Sequence, residues 1–321
     1  MFRYRVYGLT VESDTRFPEL SKLEEPADRV ATDVLIRLRV PDGSPPPISK
    51  IMKTTTRPDG GPWLMSARVG DGYMIRFVEL AQFIVDASGS ELTCWGVEDG
   101  ISAETVRHLA LDQVLPMVLN VRGREALHAT AIVTPQGACA FSGPAGSGKS
   151  TLAASFFLAG FGALGDDCLP LIEQGGSIRA LPGYPGMRLA RDSIEALAAG
   201  SGDMTRVSDH NSKLRALAAP SAKNFPREPV ILKRIYRVSR PQEGEPEVSG
   251  PAIAPIESRV AFVELLSSSF LLDFADSEML ARHFQLMEKV ANTVAVKRLK
   301  VPNDLSALGA VRAAVLADLD A

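Results

Sequence analysis

The stretch Gly143-Pro144-Ala145-Gly146-Ser147-Gly148-Lys149-Ser150 constrains the fold more than any other part of the chain. It satisfies the phosphate-loop pattern G-x-x-x-x-G-K-[ST], which works only between a strand and a helix. Glycines at these spacings let successive backbone N–H groups approach phosphate oxygens, because no Cβ stands in the way. The lysine sets a point charge among the β- and γ-phosphates, and the hydroxyl after it suits Mg2+, which takes hard oxygen ligands. The flanks agree. Ala138 to Ser142 is a short apolar run of the buried-strand kind, and Leu152, Ala153, Phe156, Phe157 and Ala159 predict a helix from about Lys149 to Ala159, stopped by Gly160. The candidate phosphate-binding residues are Gly143, Ala145, Gly146, Ser147, Gly148, Lys149, Ser150 and Thr151, with ATP and Mg2+ as the implied ligands.

Helix length then fixes a second point. A helix over these residues rises roughly 15 Å away from the phosphates. Phe161 to Gly165, as a strand, climbs back about the same distance. Asp166 and Asp167, seventeen residues and more after Lys149, are thereby brought level with the loop. One carboxylate there can hold the metal ion, and the other can accept the proton of an attacking hydroxyl.

A phosphate loop followed by one helix, a glycine and an Asp-Asp pair resembles the HPr kinase/phosphorylase family, whose nucleotide fold is related to that of phosphoenolpyruvate carboxykinase. Leu127-His128-Ala129-Thr130-Ala131-Ile132-Val133 is similar to that family's H-[AG]-x-x-V segment before the loop strand. The resemblance runs over residues 104 to 310 or so. It implies His128 near the transferred phosphate, Asp166 as acid/base beside Lys149, and Ser150 with Asp167 at the metal. It also implies a mixed-sheet α/β core like the HPr kinase C-terminal domain and leaves a homo-oligomer open. The Arg-, Gly- and Glu-rich signature of true HPr kinases has no copy here. Leu181 to Leu189 instead resembles shorter HPr-kinase-like bacterial proteins, some of which accompany ribosomally made peptides.

Elsewhere the chain sets limits. Its net charge of −3 carries no basic excess for nucleic acid, and no apolar run approaches a membrane span. The N-terminus lacks the apolar core of a signal peptide. Cys94, Cys139 and Cys168 are isolated, with no ligand spacing, and read as reduced thiols of a cytoplasmic protein. Residues 1 to 100 are β-rich: Phe2 to Thr10, Asp33 to Val40, Tyr73 to Val78 and Gln82 to Val85 read as strands, around a proline-rich connection at Pro41 to Pro47. Trp63 and Trp95 read as packing residues. The second region, 101 to 321, opens on a helix from Glu104 to Val121 that carries a structural His108 and ends at Gly123.

Past Asp167, Glu173-Gln174-Gly175-Gly176 reads as a hairpin turn. Asp192 to Ala199 reads as a short helix and Gly200 to Asn211 as a loop of lid-like composition, holding Arg206 and His210. Arg188, Lys213 and Arg215 are open between surface and phosphate contact. Val230 to Val238 and Val294 to Leu299 are strands; Glu257 to Leu266, Asp276 to Ala291 and Leu305 to Leu319 are helices. Ser267-Ser268-Ser269 marks a helix end, with no base visible beside it to make a nucleophile. The expected function is ATP-dependent phosphorylation of a serine hydroxyl on a protein or peptide. A nucleotide-binding sensor without kinase activity and a kinase for a small hydroxy compound remain the other readings.

Overall fold

The computed structural model describes residues 1–26, 31–57, 59–184, 186–190, 193, 194, 197, 204–206, 213–217, 225–241, 246 and 248–321. These form a mixed α/β structure in two compact units. Among the described residues the first holds Met1–Arg124 and Phe270–Arg282, and the second lies within Glu125–Arg206, Ser212–Ser269 and His283–Ala321.

The first unit is an eight-stranded sheet: β1 (Phe2–Val6), β2 (Leu9–Ser13), β3 (Val34–Arg37), β4 (Ile48–Thr56), β5 (Pro62–Val69), β6 (Gly72–Phe77), β7 (Ala81–Val85) and β8 (Glu91–Val97), in the order β1-β2-β3-β8-β7-β6-β5-β4. The expected single strand Phe2 to Thr10 is a hairpin. Tyr7 and Gly8 have φ of 55° and 69°, and positive φ at both central residues is what a two-residue turn between right-twisted strands requires. The expected helix Glu104 to Val121 is present as α1 (Ala103–Leu109), a π-helical turn (Ala110–Val114) and α2 (Leu115–Val121). Pro116 lacks an N–H and crowds the carbonyl four residues back, so one widened turn precedes it. His108 is structural, its Nδ1 2.7 Å from Asp112 Oδ2 inside this helix. The helix groups with the preceding strands, where the sequence set it at the head of the second region. Its basic residues explain this: Arg107 pairs with Glu19, Arg122 with Asp33, and Arg124 donates to the carbonyls of Tyr7 and Gly8.

The second unit carries β9 (Glu125–Leu127), β10 (Ala129–Thr134), β11 (Gly137–Ser142), α3 (Lys149–Leu158), β12 (Gly162–Gly165), β13 (Leu169–Gln174) and β14 (Ser177–Ala180). A small separate sheet follows, β15 (Gly186–Ala190), β16 (Met204–Arg206) and β17 (Lys213–Leu217), ordered β15-β17-β16. The chain ends with β18 (Val230–Ser239), β19 (Ala252–Pro255), α4 (Ser258–Ser267), α5 (Ser277–Thr293, of which His283 onward belongs to this unit), β20 (Ala295–Lys300) and α6 (Leu308–Asp320). The main sheet runs β12-β10-β11-β18-β14-β13-β9, with β20 on β18 and β19 on β20. β11, β18 and β20 are parallel, whereas β10 is antiparallel to both its neighbours β11 and β12.

β11 reads as a continuous apolar run because both its faces are covered. Ala138 and Ala140 join one buried cluster with Leu127, Ile235, Met287 and Val290. Cys139 and Phe141 join the other with Leu152, Phe156, Tyr236, Val311 and Val315. Phe141 lies 5.8 Å from the ring of Phe156 and 6.0 Å from that of Tyr236. All three cysteines are buried thiols, and burial pushes the Cys94 thiol up to about 11. Among the described residues no helix is long and apolar enough to cross a membrane.

α6 is fastened to the sheet through Asp318, which accepts from Tyr236 Oη and Lys297 Nζ, each at 2.6 Å, and faces Arg234 Nε at 3.3 Å. Burial pushes the Asp318 carboxyl upward, but these donors outweigh it and hold it below the usual carboxylate range. A depressed folded-state value means stability present above the unfolded value, about 3.9, and lost as pH falls through the lower folded one. The variant Asp318→Asn is therefore expected to have a lower urea midpoint than the wild type at pH 7, with the gap narrower at pH 3. An equal gap at both pH values would show that the charge does not fasten the helix.

Candidate functional site

The glycine loop of residues 143–150 connects β11 to α3 as the sequence requires, and its glycines have specific duties. Gly143 takes φ of 142°, and a Cβ on it would lie 2.5 Å from the Val238 carbonyl oxygen of β18. Gly146 and Gly148 take φ of 81° and 94°, with Gly148 as the N-cap of α3. Pro144, Ala145 and Gly146 form the exposed tip, while Ser147 and Lys149 are buried. Lys149 is folded onto the loop, its Nζ donating to the carbonyls of Gly143 at 2.8 Å and Pro144 at 3.0 Å. Thr151 Oγ1 and Ser193 Oγ share a hydrogen bond of 2.8 Å. Among the described residues Ser142 Oγ and Ser147 Oγ are buried with no hydrogen-bond partner, an uncommon state for hydroxyls.

α3 ends at Leu158, and β12 returns the chain as the helix length predicts. β12 does not lie beside β11, however; β10 is inserted between them. Asp166 and Asp167 still reach the loop. Ser150 Oγ donates to Asp166 Oδ1 at 2.9 Å, and Thr130 Oγ1 on β10 donates to the same oxygen at 2.5 Å. Asp167 adopts φ of 61°, and its Oδ1 lies 3.9 Å from His128 Nε2. His128 is not on a strand, as expected, but at the bend between β9 and β10, where the chain leaves the partner β13 for β11 and β12. The imidazole is 40% exposed there, while the backbone N–H of His128 donates to the Ser268 carbonyl. The structure thus links Ser150 to Asp166 and sets Asp167 beside His128, while Lys149 is folded onto the glycine loop.

Of the more open candidates, Arg188, Lys213 and Arg215 lie on strands, with Arg188 opposite Arg215 and Ala190 opposite Lys213. Most of the expected helix Asp192 to Ala199 falls outside the described residues; Ser193, Ile194 and Leu197, which are described, are helical. Most of the expected loop Gly200 to Asn211, His210 included, also falls outside them; its Met204–Arg206 portion is a strand paired with β17.

Three groups escaped the sequence reading. Thr130 was visible only as part of a strand. Arg240, just past β18, sets its guanidinium against Gly148: the position a Cβ would occupy there is 2.7 Å from Nη2. The rule that ligands gather at the carboxyl ends of parallel strands could have flagged it. Ser269, judged to have no base beside it, does have one. Its Oγ is 2.8 Å from His283 Nε2, and His283 Nδ1 is 2.7 Å from Glu125 Oε2. The base lies fourteen residues on, in α5, and only the packing of that helix brings it near.

No protein-family model matches the chain, and no curated protein matches it. Among solved structures, the HPr(Ser) kinase/phosphatase from Coxiella burnetii is similar at a TM-score of 0.33 and 11% identity, over 61% of this chain and 97% of that one. That is a distant structural relationship and carries no argument about activity.

The loop geometry makes a stability prediction. Gly143 and Gly176 both have positive φ, but only Gly143 lacks room for a methyl group. Gly176→Ala is expected to lose about 1–2 kcal/mol from the backbone conformation alone, and Gly143→Ala clearly more. Equal losses in urea unfolding would remove the close approach to Val238 as the reason for that glycine.

Proposed function

We propose that this chain is an ATP-dependent phosphotransferase that phosphorylates a serine hydroxyl on a protein or ribosomally made peptide. One observation carries the reading: the hydrogen bond of 2.9 Å between Ser150 Oγ and Asp166 Oδ1. It joins the phosphate loop to a carboxylate that a loop built only to grip an anion would not need.

The donors fit Mg2+. Ser150 and the aspartates offer hard oxygens, and Mg2+ sites of this class use few protein ligands, completed by water and phosphate. Among the described residues no cluster of three or more His, Cys, Asp or Glu makes a protein-only cage. Bound with ATP, Mg2+ would neutralise phosphate charge. The chain supplies the rest. Loop N–H groups and the start of α3 hold the phosphates. Lys149 exchanges the carbonyls of Gly143 and Pro144 for phosphate oxygens. Asp166 takes the proton of the acceptor hydroxyl, Asp167 shares the metal with Ser150, and His128 stands by the transferred phosphate.

The same hydrogen bond favours a second division of labour, in which Asp166 shares the metal with Ser150. Asp167, 3.9 Å from His128, would then take the proton.

A labelled-ATP transfer assay with candidate peptides, HPr and small hydroxy compounds tests both. Label on a peptide serine, lost in Lys149→Ala, is expected. The aspartate that serves as base, changed to Asn, abolishes transfer with nucleotide binding intact; the one at the metal raises the Mg2+ requirement. Nucleotide binding without transfer to any acceptor would overturn the enzyme reading in favour of a binding module, and label only on a small compound would overturn the peptide acceptor.

A further inference from the structure

Arg240 leaves β18 where β11 becomes the phosphate loop. The two strands are parallel, with Ser142 opposite Arg237, so their carboxyl ends emerge side by side. Gly143 lies so near β18 that a Cβ would stand 2.5 Å from Val238 O, which fixes the spacing between loop and strand end. Arg240, two residues further on, then lies along Gly148. From the position of a Gly148 Cβ, its Nη2, Cζ and Nε are 2.7, 3.2 and 3.2 Å away. The whole guanidinium therefore covers the residue that caps α3.

A second observation is independent of that contact. Arg240 Nε is buried and has no hydrogen-bond partner among the described residues. A buried donor on a charged group without an acceptor is costly, and more so than a neutral one. Ser142 Oγ, at the end of β11, and Ser147 Oγ, in the loop, are likewise buried and without a partner among the described residues. Three such polar atoms thus lie in or beside one glycine loop, at the N-terminus of a helix, where an anion is favoured.

We propose that Arg240 is a second cationic anchor of this site, donating to nucleotide phosphate oxygens from the strand side while Lys149 serves from the loop. Its place at Gly148 puts it by the first N–H groups of α3, which in phosphate loops cradle the α- and β-phosphates. It therefore binds what ATP and ADP have in common and is a nucleotide-binding residue. A guanidinium suits the task because its planar fork can meet two phosphate oxygens at once, which an ammonium cannot. The inference rests on reading residues 143–150 as a nucleotide site.

The test is titration of ADP and of Mg2+-ATP into the full chain, with wild type, Arg240→Gln and Arg240→Lys, and with thermal midpoints taken without ligand. Arg240→Gln is expected to weaken both nucleotides by about 10- to 100-fold, as loss of one or two charge-assisted hydrogen bonds implies. Arg240→Lys should fall between. The ligand-free midpoint should hold or rise, because the variant removes an orphaned donor. Unchanged affinity in Arg240→Gln beside a wild type that binds would overturn the anchor and leave the site. A ligand-free midpoint that drops in Arg240→Gln, with affinity lost only in proportion, would assign the arginine to packing. A wild type that binds neither nucleotide would overturn the nucleotide reading and this inference with it.

Discussion

Everything at this site depends on how closely two backbones approach. The chain leaving β11 must turn at once, and it does so against the end of β18, with no room for even a methyl group between Gly143 and the Val238 carbonyl. The approach is possible because β11 and β18 are parallel neighbours in the middle of the sheet, buried on both faces. The two clusters on either side of β11 act as clamps. Phe141, held between Phe156 and Tyr236, cannot slide along the strand without breaking aromatic contacts on both sides, so the level at which the loop begins is set by the core.

How much of this was legible in the sequence follows from how local each signal is. The strand, loop and helix around Lys149 are written in consecutive residues, and the elements lie within a residue or two of expectation. The arrival of Asp166 at the loop was a matter of helix rise against strand rise, again local. The strands of the first hundred residues were legible where side chains alternate. The hairpin at Tyr7-Gly8 was not, since the alternation continues through a two-residue turn and only positive φ betrays it. β4 was missed for a different reason: its residues are largely exposed, so burial left no mark on its composition.

What stayed hidden depends on long-range pairing. Nothing local says that β10 is inserted between β11 and β12, or that His128 falls at the bend where one strand partner is exchanged for another. Arg240 lies outside any motif and matters only through the parallel pairing of β18 with β11. The chain of Glu125, His283 and Ser269 is assembled from three elements far apart in sequence. Its buried imidazole is fully engaged, tying β9 to α5 and to the end of α4, next to the backbone that holds His128.

For the proposed phosphotransfer, the insertion of β10 has a consequence for rate. Thr130 projects from that strand onto the same carboxylate oxygen that Ser150 reaches from α3. With two hydroxyls on one oxygen, the Asp166 carboxylate is already oriented before any nucleotide arrives. In water, dipoles must turn to meet charge as it develops, and that reorganisation is a large part of a reaction barrier. Here the turning was done during folding, so the proton transfer proposed for this carboxylate would start from an environment already aligned to it.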